Sequence, residues 1–564
     1  MDNLARPWFR LRAVWDRTVH ACRTSLHSHP RAMGALAIGA LVLAAYFPAL
    51  GGGFVWDDDD NVTNNFTLRS VDGLLRIWSD LLANQQYYPL THTSFWVEYR
   101  LFGLNPFPYH LDNILLHAGV AFLFWRVLRA LAIPAAWLAA ALFAVHPVHV
   151  ESVAWITERK NVLAGVLYLA AALAFLRAAG IGVAPAQGQR PLVRPSLWRA
   201  LALLLFGLAL LSKTAVATLP AALLVVLLWK RPRGWRRSAA ALVPFFVLGA
   251  LASTITAWIE QTHVNADWTY PWLDRFLIAG RAFIFYLGKL LWPAELMFVY
   301  PRWHIDGAVW WQYVFPAAVV LVLAAAIRLG RRVGWGPLVA LSCYTLTIAP
   351  ALGFFTVAYH RFSYVQDHFQ YLASMGPIAL CASALWALTR RFGRRPIPAA
   401  RLVAGLLLAL LAARSARQCA AFHDYEALFQ HTLQRNPDAW MAEFNLAVYA
   451  KDHGRPDEAI GHYQAAIRIA PTEPQQHNNL GAVLLRVGRS AEAVEELKVA
   501  VRLLPRNASV RANLAAALKA NGRPAQAIAV WKEALRLHPG WAKVERMIAE
   551  TYASAAGDGQ QAVP

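Results

Sequence analysis

Charge is scarce in this sequence. Only 15% of its 564 residues are Asp, Glu, Lys or Arg, and 57% are hydrophobic. A soluble domain carries about 25% charged residues, so the shortfall excludes a wholly water-soluble protein and leaves a membrane protein with a smaller soluble part. Acids are the scarcer sign, 33 against 54 Lys and Arg, for a net charge of +21. That excess does not make a nucleic-acid-binding face, because the arginines punctuate the ends of apolar segments, as the positive-inside rule requires. Cysteine is nearly absent. Cys22, Cys343, Cys381 and Cys419 are scattered and form no CxxC, which removes a disulfide framework and a cysteine metal cluster. No Walker loop, GxSxG elbow or dinucleotide fingerprint stands where it could work, so neither ATP nor a nucleotide sugar is implied. An activated donor would have to arrive through the lipid.

What is abundant is apolar sequence. Segments near the spanning length of about 17–25 residues fall near 33–50, 111–131, 134–146, 161–178, 197–212, 214–229, 239–258, 309–328, 335–352, 372–390 and 400–413. No small-residue cleavage site follows the first, so it reads as a retained span. Arginine-rich stretches (the N-terminus, 125–129, 188–199, 229–237, 328–334 and 390–396) mark the cytoplasmic side. The segment 275–293, with Arg275, Arg281 and Lys289, suits an amphipathic helix at the outer interface. About eleven spans then place the N-terminus inside and the C-terminus outside.

After Arg417 a period of 34 residues takes over. Pro437, Pro471, Pro505 and Pro539 recur at that spacing, as do Gly454, Gly488 and Gly522, Ala459, Ala493 and Ala527, and Leu446, Leu480 and Leu514. Leu480, Gly481, Ala493, Leu497, Ala500 and Pro505 match the tetratricopeptide pattern. The expected organisation is a basic cytoplasmic segment 1–32, a membrane domain 33–417 with a first outer loop 51–110, a linker helix in 418–439, about three repeats with a capping helix over 440–554, and a disordered tail 555–564. Asn445, Asn479 and Asn513 also recur. They read either as packing and capping groups or as an amide ladder that binds an extended acceptor peptide.

Polar groups gather at what topology makes the outer face, where they are expensive to place. "FVWDDDDNVTNN" sets Asp57–Asp60 one glycine hinge beyond the first span. This is either a solvated turn or a site for a sugar or a metal-bound water. "HPVHVESVAWITERKN" brings His146, His149 and Glu151 near Arg159 and Lys160, and "PYHLDNILLH" lines His110, Asn113 and His117 on one helical face. "YHRFSYVQDHFQYL" adds Arg361, Asp367 and His368. With Lys213, these cations could embrace a phosphate emerging from the bilayer.

The order of "FVWDDDDNVTNN", "YHLDNILLH", "HPVHVESVAWITERKNVLAG", "SKTAVATLPAALL", "LLWPAELMFVYP", "QDHFQYLASMG" and tandem tetratricopeptide repeats resembles the transmembrane and tetratricopeptide-repeat-containing mannosyltransferase family, within the GT-C class of membrane glycosyltransferases. The resemblance implies an all-α, polytopic GT-C-like membrane domain followed by a tetratricopeptide α-solenoid. It implies transfer of a hexose, mannose above all, from a polyprenyl-phosphate donor to Ser or Thr hydroxyls of acceptor proteins. An acidic pair in the first outer loop would be catalytic, and it falls on Asp57 and Asp58. Where many relatives read ERYLYLPS, this chain reads DHFQYLAS. The donor phosphate or sugar would meet His146, His149, Glu151, Arg159, Lys160, Lys213, Arg361, Asp367 and His368. A divalent ion held by Asp57 and Asp58 is one option, metal-free chemistry the other. The composition points to a bacterial inner membrane. Two other readings stand beside this one: a membrane-anchored scaffold for envelope proteins, and a glycosyltransferase acting on a glycan or lipid acceptor.

Overall fold

The computed structural model describes residues 30–182, 194–231, 235–263, 270–354, 358–391 and 398–560. The basic segment up to residue 29 (with Cys22), half of the basic stretch 188–199, most of 390–396, and the last four residues lie outside the described residues. Everything ordered among the described residues is helical, and no strand occurs among them. The chain divides into two compact units, Met1–Leu296 with Trp303–Asp424, and Met297–Arg302 with Tyr425–Pro564.

Among the described residues of the first unit, six helices are long and apolar enough to cross a membrane: Arg31–Gly51, Pro106–Ala130, Ile156–Ala178, Trp235–Thr262, Trp310–Val333 and Ala399–Phe422. Pro195–Leu210, Thr214–Lys230 and Gly336–Ala351 are apolar but shorter. The segment expected as one span at 134–146 is instead the first arm of a broken pair, Ala136–Ala144 and Pro147–Ala154, bent by 54°. Pro147 has no N–H to continue the first helix, and His146 caps the turn by accepting from the Val148 N–H at 3.4 Å. Both arms are buried, so the bend delivers polar residues into the interior of the unit. Elsewhere helices expose apolar side chains such as Leu204, Val247, Leu321 and Leu406, as a bilayer-facing surface does. Trp272–Leu291 buries Leu277, Phe283, Tyr286 and Leu290 on one side, the one-sided helix expected over 275–293.

In the second unit the 34-residue period becomes three helix pairs. These are Trp440–Asp452 with Pro456–Ile469, Pro474–Arg486 with Ser490–Leu503, and Ala508–Ala520 with Pro524–Leu537. The helix Tyr425–Leu433 precedes them. Ala542–Gln560 follows and runs into the stretch expected as a tail. Gly454, Gly488 and Gly522 turn each pair at φ of 72°, 84° and 72°, a backbone region open to glycine and strained for other residues. The repeating Leu and Ala positions are buried, and Leu480, Leu514, Ala459, Ala493 and Ala527 share one core. Met297–Arg302, far away in sequence, joins this unit: Asn436 Nδ2 donates to the Val299 carbonyl at 3.1 Å.

Gly481 sits where a Cβ would lie 2.5 Å from Leu497 Cγ, within the second pair. Gly481→Ala should destabilise the repeats by about 1–3 kcal/mol through overpacking, read as a lower melting transition of the full chain.

Candidate functional site

The first loop is organised by Asp58. Its N–H closes a turn on the Val55 carbonyl at 3.0 Å. Its Oδ2 accepts from the Val55 N–H at 2.8 Å. Its Oδ1 accepts from both the N–H and the hydroxyl of Thr157, at 2.8 and 2.5 Å. Asp58 is fully buried. Burial and the neighbouring Asp57 charge push its carboxyl up to about 8, while the Thr157 and Val55 donors pull it down. With both oxygens already accepting, this carboxylate serves as a clamp.

Asp57 is different. It is only part-buried by surface exposure, and its Oδ1 has no hydrogen-bond partner among the described residues. Burial raises its carboxyl to about 7, Lys160 opposes the rise, and Glu158 adds to it. Asp59 and Asp60 are exposed and tied locally, Asp59 accepting from Thr63 and Asp60 from Gln85, at 2.8 and 2.7 Å. The amides of "NVTNN" serve the loop itself: Asn61 donates to the Asp57 carbonyl and Asn65 to Asn84, both at 2.8 Å. The four acids thus resolve into one clamp, one carboxylate with an unpaired oxygen, and two surface groups.

Next to Thr157 stands Glu158, buried, with Lys160 Nζ at 2.9 Å, Lys213 Nζ at 3.4 Å and His368 Nε2 at 3.7 Å. Asn161 also donates to it. Burial pulls the Lys213 ammonium down to about 8 against the attraction of Glu158. Glu151 accepts from the backbone N–H of His368 at 3.1 Å and meets its Nδ1 at 3.0 Å. Burial holds this imidazole well below its ordinary range, with Glu158 opposing. Asp367 is buried in the same short turn, Asp367–Gln370, and Arg361 is half-buried in Ala358–Arg361.

Other expected site residues are committed elsewhere. Arg159 is fully buried with every N–H engaged: Nη1 reaches Glu98 and Asp112 at 2.5 and 3.1 Å, Nη2 reaches Glu98 and the Tyr109 carbonyl at 3.0 and 2.8 Å, and Nε reaches Asn113 at 2.6 Å. No donor is left for a phosphate. His146 meets the Leu290 carbonyl and the Val148 N–H, His149 meets the Phe143 carbonyl and the Ser374 hydroxyl, and His117 meets Tyr371 and the Ala144 carbonyl. Asn113 donates towards the Trp155 carbonyl, at 3.2 Å. His110 is buried beside Gly52, where a Cβ would lie 3.2 Å from its Nε2. In the repeats, Asn445 binds Tyr425 and the Met441 carbonyl, Asn479 accepts from Asn478, and Asn513 donates to Asn478. The amide ladder is cross-linked within the repeats themselves.

Thr157 and Glu158 are the residues of the candidate site that the sequence alone does not single out, and Glu98 is the partner that commits Arg159 to structure. The available signal for Glu158 was its place directly before two cations at the start of a span. Among the described residues no group of three or more His, Cys, Asp or Glu has metal-holding geometry. An apolar cavity of about 690 Å³ is lined by Phe124, Leu169, Leu223, Leu372, Met375 and Ala379, among others.

Comparison with known proteins agrees with the resemblance read from the sequence. Over 469 residues the chain is 24% identical to a protein O-mannosyl-transferase of Caenorhabditis elegans, covering 77% of this chain and 62% of that protein. It is 27% identical over 514 residues to human protein O-mannosyl-transferase TMTC1, covering 80% of this chain and 57% of that one. The mouse protein O-mannosyl-transferase TMTC2 is 36% identical over 153 residues, 25% of this chain and 18% of that protein. The chain therefore spans less than two thirds of the length of the curated relatives it matches. Residues 464–538, within the repeats, match the family described as bacterial transcriptional activator domain. Among solved structures, MamA is 16% identical over 26% of this chain and 84% of that chain, with a TM-score of 0.23.

Removing Arg159 leaves the buried Glu98 without its fork. Arg159→Ala should lower stability by about 3–5 kcal/mol, seen as lost monodisperse protein in detergent, whereas Lys160→Ala should cost less, because Glu158 keeps Lys213 and Asn161.

Proposed function

We propose that this chain is a membrane glycosyltransferase that moves a hexose, mannose by the names of its relatives, from a polyprenyl-phosphate carrier to Ser or Thr hydroxyls of proteins at the outer face of a bacterial inner membrane. The observation that carries the reading is Asp57, a carboxylate with one unpaired oxygen set beside a buried cluster of two lysines and a glutamate.

The reaction breaks the bond between the anomeric carbon and the phosphate oxygen and forms one to the acceptor oxygen. The acceptor proton must leave as that bond forms, and a carboxylate with a pKa near the working pH is suited to take it. Asp57, raised to about 7, fits that role. The departing lipid phosphate keeps the electron pair and needs positive charge nearby. Lys213 and Lys160, held by Glu158, are the cations that would meet it, with Glu151 and His368 bracing Glu158 from the other side. Asp58 would act only by positioning Asp57. The cavity supports a lipid donor: Leu372 and Ala373 line it, four and five residues after His368, and its walls suit part of an isoprenoid chain. The helical repeats would receive acceptor chains by faces other than the cross-linked asparagines.

The test is glycoproteomics of the envelope in a deletion strain carrying wild type, Asp57→Asn or Asp58→Asn, alongside transfer measured on purified protein. Asp57→Asn should fold normally and lose about 10²-fold or more in rate; normal hexose addition by that variant would overturn the assignment. Asp58→Asn should lower activity together with stability.

The pH dependence has a definite sign. As a base, Asp57 works ionised, so transfer should rise with pH through about 7, and this limb should vanish in Asp57→Asn. Because its folded pKa lies above the ordinary 3.8, the stability tied to its protonated form is present at low pH and lost as pH rises through about 7. Wild type should therefore lose more stability than Asp57→Asn between pH 5 and 8, as read by thermal melts.

A further inference from the structure

Trp56 stands in an unusual position. With φ of 47° it occupies the left-handed region, where a bulky side chain costs on the order of 1–3 kcal/mol and glycine nothing comparable. Trp56 and Asp57 are the two central residues of the turn closed by Asp58 on Val55. The indole is only part-buried, so part of its surface is open. It leans on Trp155, with ring centroids 5.5 Å apart and planes at 38°. Trp155 in turn has Lys160 Nζ 5.7 Å from its ring and the His368 ring at 5.8 Å. The strained indole thus links the unpaired carboxylate to the lysine–glutamate–histidine cluster.

We propose that Trp56 is the surface on which the donor's hexose ring stacks, a substrate-binding residue that orients the anomeric carbon between Asp57 and the cations. This rests on the glycosyl-transfer reading and extends it to the sugar itself. One face of a pyranose presents C–H groups and its rim presents hydroxyls. A broad, electron-rich indole complements the face while polar neighbours take the rim. Glycosyl transfer also develops positive charge around the anomeric carbon, and an aromatic face attracts such charge. The same turn would then supply both the base and the surface that positions its target.

The test uses the full chain in nanodiscs and two lipids, polyprenyl-phosphate mannose and sugar-free polyprenyl phosphate, with binding measured apart from turnover. Wild type should prefer the sugar-bearing lipid. Trp56→Ala should weaken that lipid alone by about three- to tenfold, raise the KM for donor but not for acceptor, and leave the sugar-free lipid unaffected. Trp56→Phe should keep most of the preference. Trp56→Gly should lose it as Trp56→Ala does while melting no lower than wild type, which separates the ring's role from the backbone's. If Trp56→Ala keeps the preference, or weakens both lipids equally as a mere membrane anchor would, the stacking surface is overturned while the transferase reading stands. If wild type itself shows no preference and transfers no hexose, the transferase reading falls and takes the stacking surface with it.

Discussion

The first loop depends on a carboxylate that itself has nothing to spare. Asp58 accepts three hydrogen bonds in a site closed to water, one from its own turn and two from Thr157, 99 residues along the chain. A buried carboxylate is tolerated only when its acceptors are filled, so breaking any of these contacts would cost the loop its place. The clamp has a consequence on both strands of chain that it joins. Asp57 is the neighbour of Asp58, and Glu158 is the neighbour of Thr157. Fixing the two clamp residues against each other brings the two flanking acids, with Lys160, close enough to perturb one another.

The next two residues show how one helix start separates structure from chemistry. Arg159 and Lys160 are consecutive, yet successive residues on a helix point about 100° apart. Arg159 turns inward, and its planar fork is filled by Glu98, Asp112, Asn113 and a carbonyl. This is the bidentate, always-charged geometry that arginine supplies and lysine cannot. Lys160 turns towards Glu158 and the loop. A compact ammonium on a flexible stem can exchange one anion for another, as the proposed transfer from a lipid phosphate would require.

The period of the repeats is legible, because each local requirement is written in the sequence. Glycine marks the positive φ, alanine and leucine the buried faces, and proline the chain just past each second helix. Most apolar segments also appeared as helices, although Pro147 broke one of them. The site was legible only in part. That acids, lysines and His368 converge agrees with the alternation of apolar segments and arginine-rich loops, which assigns them all to one face. Which of four aspartates keeps an oxygen without a donor depends on a contact between residues about a hundred positions apart, and no local pattern reports it. Sequence likewise cannot distinguish a saturated donor from a free one. Arg159, His146 and His149 looked like ligand-binding groups, but each is satisfied by its surroundings. Asn445, Asn479 and Asn513 likewise make bonds within the solenoid.

That contrast supports placing the chemistry in the loop. Foldable sequences agree with themselves at every level, and departures from local rules concentrate where function requires them. In the repeats, propensity, turn residues and burial all agree. Between Val55 and Asp60 they conflict. Four acids stand in a row, a tryptophan adopts a backbone region suited to glycine, and a carboxylate oxygen is left without a donor. Replacing Trp56 with glycine would relieve the backbone, and replacing Asp57 with asparagine would relieve the charge. A loop needed only to end a helix would have no reason to keep either residue, and the clamp at Asp58 holds both in place.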